Sequence, residues 1–328
     1  FAASPHPVPV VNQTESTVLV SDLAYEKHDT GFGHPEQPAR IKAVLRALDR
    51  ADLSKKFRKV EPRPCEDADI LRCHTKEYLA AAKADIASGA TNLRTGDTSL
   101  SPASLDIARL AAGGALAAVD EVLGSRARNA FCVVRPPGHH ATPDKGMGFC
   151  LFNNVAIAAR YAQEKHKVGK VLIVDWDVHH GNGTQDIFYE DESVFFFSTH
   201  QSPWYPGTGD REETGKGKGL GTILNRPFPA GSGHDEIVES AFGDDLAKAM
   251  TKYRPELILI SAGFDSRLGD PLGQFRLTDD DFTSLTGLIL DLAKEHADGK
   301  VVSVLEGGYD LNGLGKAAAA HAKQFLNQ

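Results

Sequence analysis

Asp175, Asp177 and His179 stand at alternate positions where an apolar run, Val171-Leu172-Ile173-Val174, gives way to His180, Gly181 and Gly183. Carboxylates and imidazoles at the end of a buried strand are costly to desolvate unless they pair or bind a metal. Strand alternation carried to the end of the run would put all three on one face. Another such run ends in Ser261-Ala262-Gly263-Phe264-Asp265 and adds a further carboxylate. Asp177, His179 and Asp265 then make a three-ligand set, the number a catalytic zinc takes from protein while keeping a position for water. Such a metal lowers the pKa of water and polarises a carbonyl. His139 and His140, after Arg135-Pro136-Pro137-Gly138, offer a general base and a general acid. Asp175 is placed to hold the tautomer of one imidazole. Tyr309, in Glu306-Gly307-Gly308-Tyr309-Asp310, has a hydroxyl able to donate to a developing oxyanion. Together these groups describe hydrolysis of an amide or ester by metal-activated water.

Each group alone has a plainer reading. A single strand-end Asp-x-His is usually structural, a His-His turn can bond to backbone, and a tyrosine is more often core. Their arrangement argues otherwise, because every cluster follows a strand-like run. The pattern predicts strands over 17–20, 130–134, 171–175, 194–198, 257–261 and 301–305. Helices are predicted over 38–49, 75–88, 104–123, 154–164, 235–251, 279–296 and 315–326, with Thr278 capping the helix after it. Alternation of strands with helices is the pattern of an α/β protein, a parallel sheet covered on both faces. Sites in such sheets form beyond the carboxyl ends of the strands, so four separated segments point to one place.

With these residues in view, the chain resembles the zinc-dependent histone deacetylase family, in the branch of class II enzymes and bacterial deacetylase-like amidohydrolases. The resemblance runs from about His28 to the C-terminus. Its motifs include His34-Pro35-Glu36-Gln37-Pro38-Ala39-Arg40, Arg135–Ala141, Gly148-Phe149-Cys150, Asp175–Gly183, Tyr205-Pro206-Gly207-Thr208-Gly209, Ser261–Asp265 and Leu305–Tyr309. It implies a single-domain arginase/deacetylase fold with a central parallel sheet of eight strands and helices on both faces. It implies zinc on Asp177, His179 and Asp265, and a structural potassium ion beside Asp175, with Asp177, His179, Ser198 and Thr199 contributing. His140 would be the general base, and His139 its electrostatic partner held by Asp175. Tyr309 would polarise the acyl carbonyl. The resemblance further implies substrate contacts from Gly148, Phe149 and Tyr205 along a tunnel, Leu272 at its mouth, Asp97 as a rim carboxylate, and Gly307. Arg40 would lie near an internal acetate-release channel.

Three departures qualify it. Asn182 stands behind His140 where the nuclear class I enzymes carry an aspartate, although the class II pattern also has Asn. Tyr205 replaces a tunnel phenylalanine. Leu272 is apolar where polyamine-specific relatives place a carboxylate. Tyr309 is retained where weakly active class IIa enzymes have histidine, which implies turnover. Three readings follow: a deacetylase of N6-acetyl-lysine in proteins or peptides, an amidohydrolase of acetylated polyamines or arylalkylamines, and a non-catalytic acyl-lysine binding module. The complete His139-His140 pair and Tyr309 argue against the last.

The 328 residues suffice for one large domain, expected over 17–328 behind a flexible leader over 1–16. With 36 basic and 44 acidic residues, a net charge of −8, the chain lacks the basic stripe of a direct nucleic-acid binder. No apolar stretch approaches the ~20 residues that span a membrane. Cys65, Cys73, Cys132 and Cys150 form no C-x-x-C and no disulfide framework, which points to a reducing compartment, cytoplasm or organelle interior. A chain that starts at Phe1 leaves export open. Gly215-Lys216-Gly217-Lys218-Gly219 lacks the spacing and the Ser or Thr of a phosphate loop and reads as a surface loop. No G-x-S-x-G elbow or H-E-x-x-H pair is present.

Overall fold

The structure, a computed structural model, describes residues 16–327. Residues 1–15 of the expected leader lie outside it. Ser16, also assigned to that leader, belongs to the fold, since its carbonyl accepts the Arg128 N–H at 3.0 Å. Eight strands form one parallel sheet: β1 (Thr17–Val20), β2 (Arg58–Val60), β3 (Asn129–Cys132), β4 (Val171–Asp175), β5 (Val194–Gln201), β6 (Ile223–Phe228), β7 (Leu257–Ala262) and β8 (Val301–Leu305). Their order is β2-β1-β3-β8-β7-β4-β5-β6. The central strands are buried along their whole length, as expected of a parallel sheet covered on both faces. The four strands that carry the chemical segments, β3, β8, β7 and β4, are consecutive at the centre of the sheet.

The helices form two groups. α4 (Ser104–Leu123) packs on α5 (Asn154–His166), with α2 (Asp67–Ile70) against α5 and α3 (Lys76–Ala87) against α4, while α9 (Leu311–Leu326) packs on α1 (Ala39–Arg50) and α8 (Asp279–His296). α4 presents small residues that let it lie close to its neighbours, and most of its length is buried. Thr278 caps α8 as expected: its hydroxyl accepts from Asp281 N while the Asp281 carboxylate returns to Thr278 N.

Several elements differ from the sequence expectation. β2 is a three-residue edge strand, Arg58-Lys59-Val60, with no apolar run to announce it. β6 reads Ile-Leu-Asn-Arg-Pro-Phe, and its Pro227 is tolerated because the strand lies at the other edge. The helix expected over 235–251 is a π-helical segment, His234–Leu246, running into α7, Ala247–Tyr253. α9 starts at Leu311 rather than at the expected 315, with Asp310 capping Gly313 N. A further helix, Asn182–Phe188 (α6), follows β4 directly. No helix among the described residues is long and apolar enough to cross a membrane. All four cysteines are free and buried.

Candidate active site

β4 ends at Asp175, so strand alternation does not place the residues after it. They are placed by a chain of side-chain turns. The Asp175 carboxylate accepts Asp177 N at 3.1 Å, and the Asp177 carboxylate accepts His179 N at 2.9 Å. An Asp that captures an N–H two residues on replaces the ladder bonds a strand would have supplied. Asp265, after β7, reaches across to accept Val178 N at 2.9 Å. The result gathers one ligand atom each from Asp177, His179 and Asp265 within 4.8 Å of one another. The Nδ1 of His179 lies 3.0 Å from Asp177 Oδ1 and 3.2 Å from Asp265 Oδ2. All three residues are buried, and Asp265 Oδ2 has no hydrogen-bond partner. Two buried carboxylates converging on one imidazole nitrogen suit a divalent metal far better than they suit an apolar interior.

The loop after β8 is shaped around this cluster. The Gly307 N–H donates to Asp177 Oδ2 at 2.8 Å. A Cβ at Gly307 would stand 2.0 Å from Asp265 Oδ2 and 2.5 Å from Asp177 Oδ2, so only glycine fits. Gly307 was expected among the substrate contacts; its N–H is spent on the carboxylate, and it is not among the residues that line the tunnel.

His139 and His140 lie beside the cluster with ring centroids 4.0 Å apart. His139 Nδ1 is 2.9 Å from Asp175 Oδ2, and His140 Nδ1 is 2.8 Å from Asn182 Oδ1. Burial disfavours charge on both rings, but the environments separate them. For His139 the Asp175 and Asp177 carboxylates outweigh burial and hold it well above the ordinary histidine range. For His140 burial, reinforced by His139 and His179, holds it well below. The two neighbouring imidazoles are thus pushed in opposite directions.

A tunnel of about 230 Å³ leads from the surface to this group. His140, His179 and Tyr309 are at its inner end, Phe149 and Tyr205 form walls, and Asp97, Gly148, Trp204 and Leu272 complete it. The Tyr205 ring stands edge-on to His140 at 5.1 Å, and Phe149 edge-on to Tyr309 at 6.0 Å. Gly148 adopts φ +56, and a Cβ there would stand 2.3 Å from the His140 ring, so the tunnel wall comes against the imidazole only because this residue is glycine. Asp97 is exposed at the rim, and its Oδ1 accepts Gly148 N at 2.6 Å. Trp204, which the sequence reading passed over, donates Nε1–H to the Leu272 carbonyl at 2.8 Å and joins the two sides of the mouth. Its signal was an aromatic residue directly before the tyrosine of a recognised motif.

Behind the tunnel lies a buried ionic cluster. Arg135 grips Glu36 through two bonds of 2.8 Å, and Arg40 adds a third at 3.1 Å. Arg40 also donates to the Gly308 carbonyl at 2.8 Å and stacks 5.2 Å from the Tyr309 ring. It is fully buried and does not line the tunnel. Asp270, another residue given no role from sequence, accepts Tyr309 N at 2.7 Å and Asp310 N at 3.1 Å. Asp175 and Ser198 are register partners across β4 and β5, with Thr199 next in the strand, and all are buried.

A family model described as histone deacetylase domain matches residues 34–325. The chain belongs to the histone deacetylase family. Its resemblance to a bacterial member is measured by 41% identity with the histone deacetylase-like amidohydrolase of Pseudomonas aeruginosa, over 84% of this chain and 73% of that protein. The chloroplastic histone deacetylase 14 of Arabidopsis thaliana is 38% identical, over 100% of this chain and 81% of that protein. The crystal structure of the HDA15 HD domain superposes with a TM-score of 0.89 at 36% identity, covering 95% of this chain and 90% of that one. The eight-stranded parallel sheet is therefore the deacetylase fold, and the chain is a member of a family of hydrolases.

Proposed function

We propose that this deacetylase-family enzyme hydrolyses the acetyl amide of N6-acetyl-lysine in proteins or peptides, with zinc held by Asp177, His179 and Asp265. The observation that carries the reading is that His140, His179 and Tyr309 line one tunnel, at the cluster formed by Asp177, His179 and Asp265. Bound there, the metal supplies Lewis acidity toward the acyl carbonyl and toward the attacking water. His140 acts as general base. Its Nδ1–H is committed to the Asn182 carbonyl, which leaves Nε2 free to take the water's proton and return it to the leaving amine. His139, protonated against Asp175, stabilises the negative charge that builds beside it. Tyr309 donates its hydroxyl to the developing oxyanion. Phe149 and Tyr205 enclose the aliphatic stem and exclude water. Asp97 uses one carboxylate oxygen on Gly148 and keeps the other for a substrate N–H.

The metal fits on three grounds: the orphaned Asp265 oxygen, the convergence of two carboxylates on His179, and the space left by Gly307. A structural potassium ion beside Asp175, with Asp177, His179, Ser198 and Thr199, agrees with the hard oxygen donors gathered there and takes part in no step. The peptide reading is favoured over a small amine because the mouth is built from Trp204 and the apolar Leu272, and because its rim carboxylate, Asp97, is the group this reading assigns to a substrate backbone N–H. The four free cysteines agree with a reducing interior, cytoplasm or organelle.

The test is turnover of an acetyl-lysine peptide against acetylated polyamines and arylalkylamines. Preference for the peptide supports the proposal. Preference for a small amine moves the substrate to metabolism. Binding without release of acetate from any of them leaves only an acyl-lysine reader.

A further inference from the structure

Glu306 is a buried acid that takes no part in the proposed proton transfers. It follows β8 and is fully enclosed. Its Oε2 accepts the N–H groups of Gly138 at 2.7 Å and His139 at 3.2 Å, and its Oε1 accepts the Ser261 hydroxyl at 3.0 Å. Its main-chain carbonyl accepts Arg40 Nη2, the guanidinium that also lies over the Tyr309 ring. One residue therefore joins the turn that carries His139 and His140, the end of β7, and the loop that carries Tyr309.

The carbonyls of that turn are held elsewhere, Pro136 O by Asn154 Nδ2 at 3.0 Å and His139 O by Thr184 N at 3.2 Å, but its first N–H groups have only Glu306. Pro136 and Pro137 have no N–H, so Gly138 and His139 supply the first two donors after them. Both are taken by the same Glu306 oxygen. On its other side the turn is pressed against the start of α5, where a Cβ on Gly138 would stand 2.4 Å from Asn154 N. We propose that Glu306 is a positioning residue, fixing the His139-His140 pair relative to Tyr309 by gripping the backbone beneath it. The inference rests on the hydrolytic reading above and deepens it.

The grip depends on shape rather than charge. Burial pushes the Glu306 carboxyl up to about 7, yet both protonation states preserve the contacts. A protonated Oε1 donates to Ser261 Oγ while Oε2 still accepts from the turn. An amide does the same, so Glu306→Gln keeps every side-chain contact and Glu306→Ala keeps none of them, while the main-chain bond to Arg40 is common to both. Misplacement of reacting groups by about 1 Å costs on the order of 100-fold in rate.

The experiment compares the wild-type chain with E306A, E306Q and S261A in kcat, KM, bound metal, hydroxamate affinity and amide exchange of Gly138 and His139. For E306A the expected results are a kcat lower by about 100-fold, with KM, metal content and hydroxamate affinity unchanged and faster exchange at the two amides. E306Q is expected to recover most of kcat and the slow exchange. S261A, which removes only the second anchor, is expected to fall between. Unchanged kcat in E306A overturns the proposal, as does equal impairment of E306A and E306Q, or a loss of kcat that only follows loss of metal. If E306A does not fold, recovery in E306Q with partial loss in S261A supports the proposal, and full activity in S261A with impaired E306Q overturns it. A wild-type chain that turns over no acetyl amide refutes the hydrolytic reading instead, while the exchange measurement still reports on the grip.

Discussion

Replacing Tyr309 by phenylalanine removes one hydroxyl from a ring that is held independently of it. The ring lies under Arg40 at 5.2 Å and edge-on to Phe149 at 6.0 Å, and its backbone N–H is fixed on Asp270 at 2.7 Å. Phenylalanine therefore keeps the tunnel wall in place. Among the described residues the hydroxyl has no hydrogen-bond partner in the protein, so no ground-state contact within the chain is lost with it. Its proton stays in place, because burial raises the phenol well above its ordinary pKa. The whole cost then falls on the developing oxyanion. One preorganised donor in a site closed to water is worth about 100- to 1,000-fold in kcat, or roughly 3–4 kcal/mol. Steady-state hydrolysis of an acetyl-lysine peptide should show that loss in kcat with KM changed less than about twofold. A kcat within about threefold of wild type, or a rise in KM alone, would refute the assignment.

Other perturbations test other parts of the account. Asp265→Ala should lower the metal bound per chain, measured by elemental analysis after dialysis; full retention would remove it from the ligand set. Leu272→Glu should shift kcat/KM toward acetylated polyamines and away from peptides by about tenfold, or ~1.4 kcal/mol; an unchanged ratio would mean that the mouth does not read the distal charge. Glu36→Ala strips the partner from two fully buried guanidiniums and should destabilise the chain by about 3–5 kcal/mol in denaturant unfolding; a loss under 1 kcal/mol would contradict the cluster's role in stability. Acid should weaken the fold in two stages. Burial holds His28 and His74 down at about 4 and His321 at about 3, so the unfolded chain gains protons below about 6.5 that the folded chain refuses. Glu36 follows: burial works against its charge, but Arg135 and Arg40 hold it at about 2, so its contribution is present above ~4.5 and lost toward 2. A loss of stability between pH 7 and 4 that is as steep in His321→Gln as in the wild-type chain would contradict the first stage.

The sequence was most legible where one physical rule acted alone. Val171 to Asp175 is a buried apolar run, and β4 has those bounds. α4 and α8 show clear helical spacing, and both have the predicted ends. Edge strands were less legible because exposure relaxes the demand for apolar residues, as Arg58-Lys59-Val60 and the proline of β6 show. Within the site, residue types and order were enough to bring Asp177, His179, Asp265, His139, His140 and Tyr309 together, but not to say how. The turns that place Asp177 and His179 depend on carboxylates bonding two residues ahead, which alternation does not reveal. Trp204, Asp270 and Glu306 act through long-range bonds, Trp204 to Leu272, Asp270 to Tyr309 and Asp310, and Glu306 to Ser261 and the Gly138 turn. Such pairings are set by chain topology and have no local pattern.

The central claim is metal-dependent hydrolysis at the inner end of the tunnel. The most direct test is to strip the chain with a chelator, return zinc in steps, and follow bound metal and acetate release from an acetyl-lysine peptide together. The account predicts that activity returns in proportion to zinc, reaches its plateau at one functional ion per chain, and is abolished by a hydroxamate. Full hydrolysis by the stripped chain, or zinc binding at that stoichiometry with no acetate released, would contradict it.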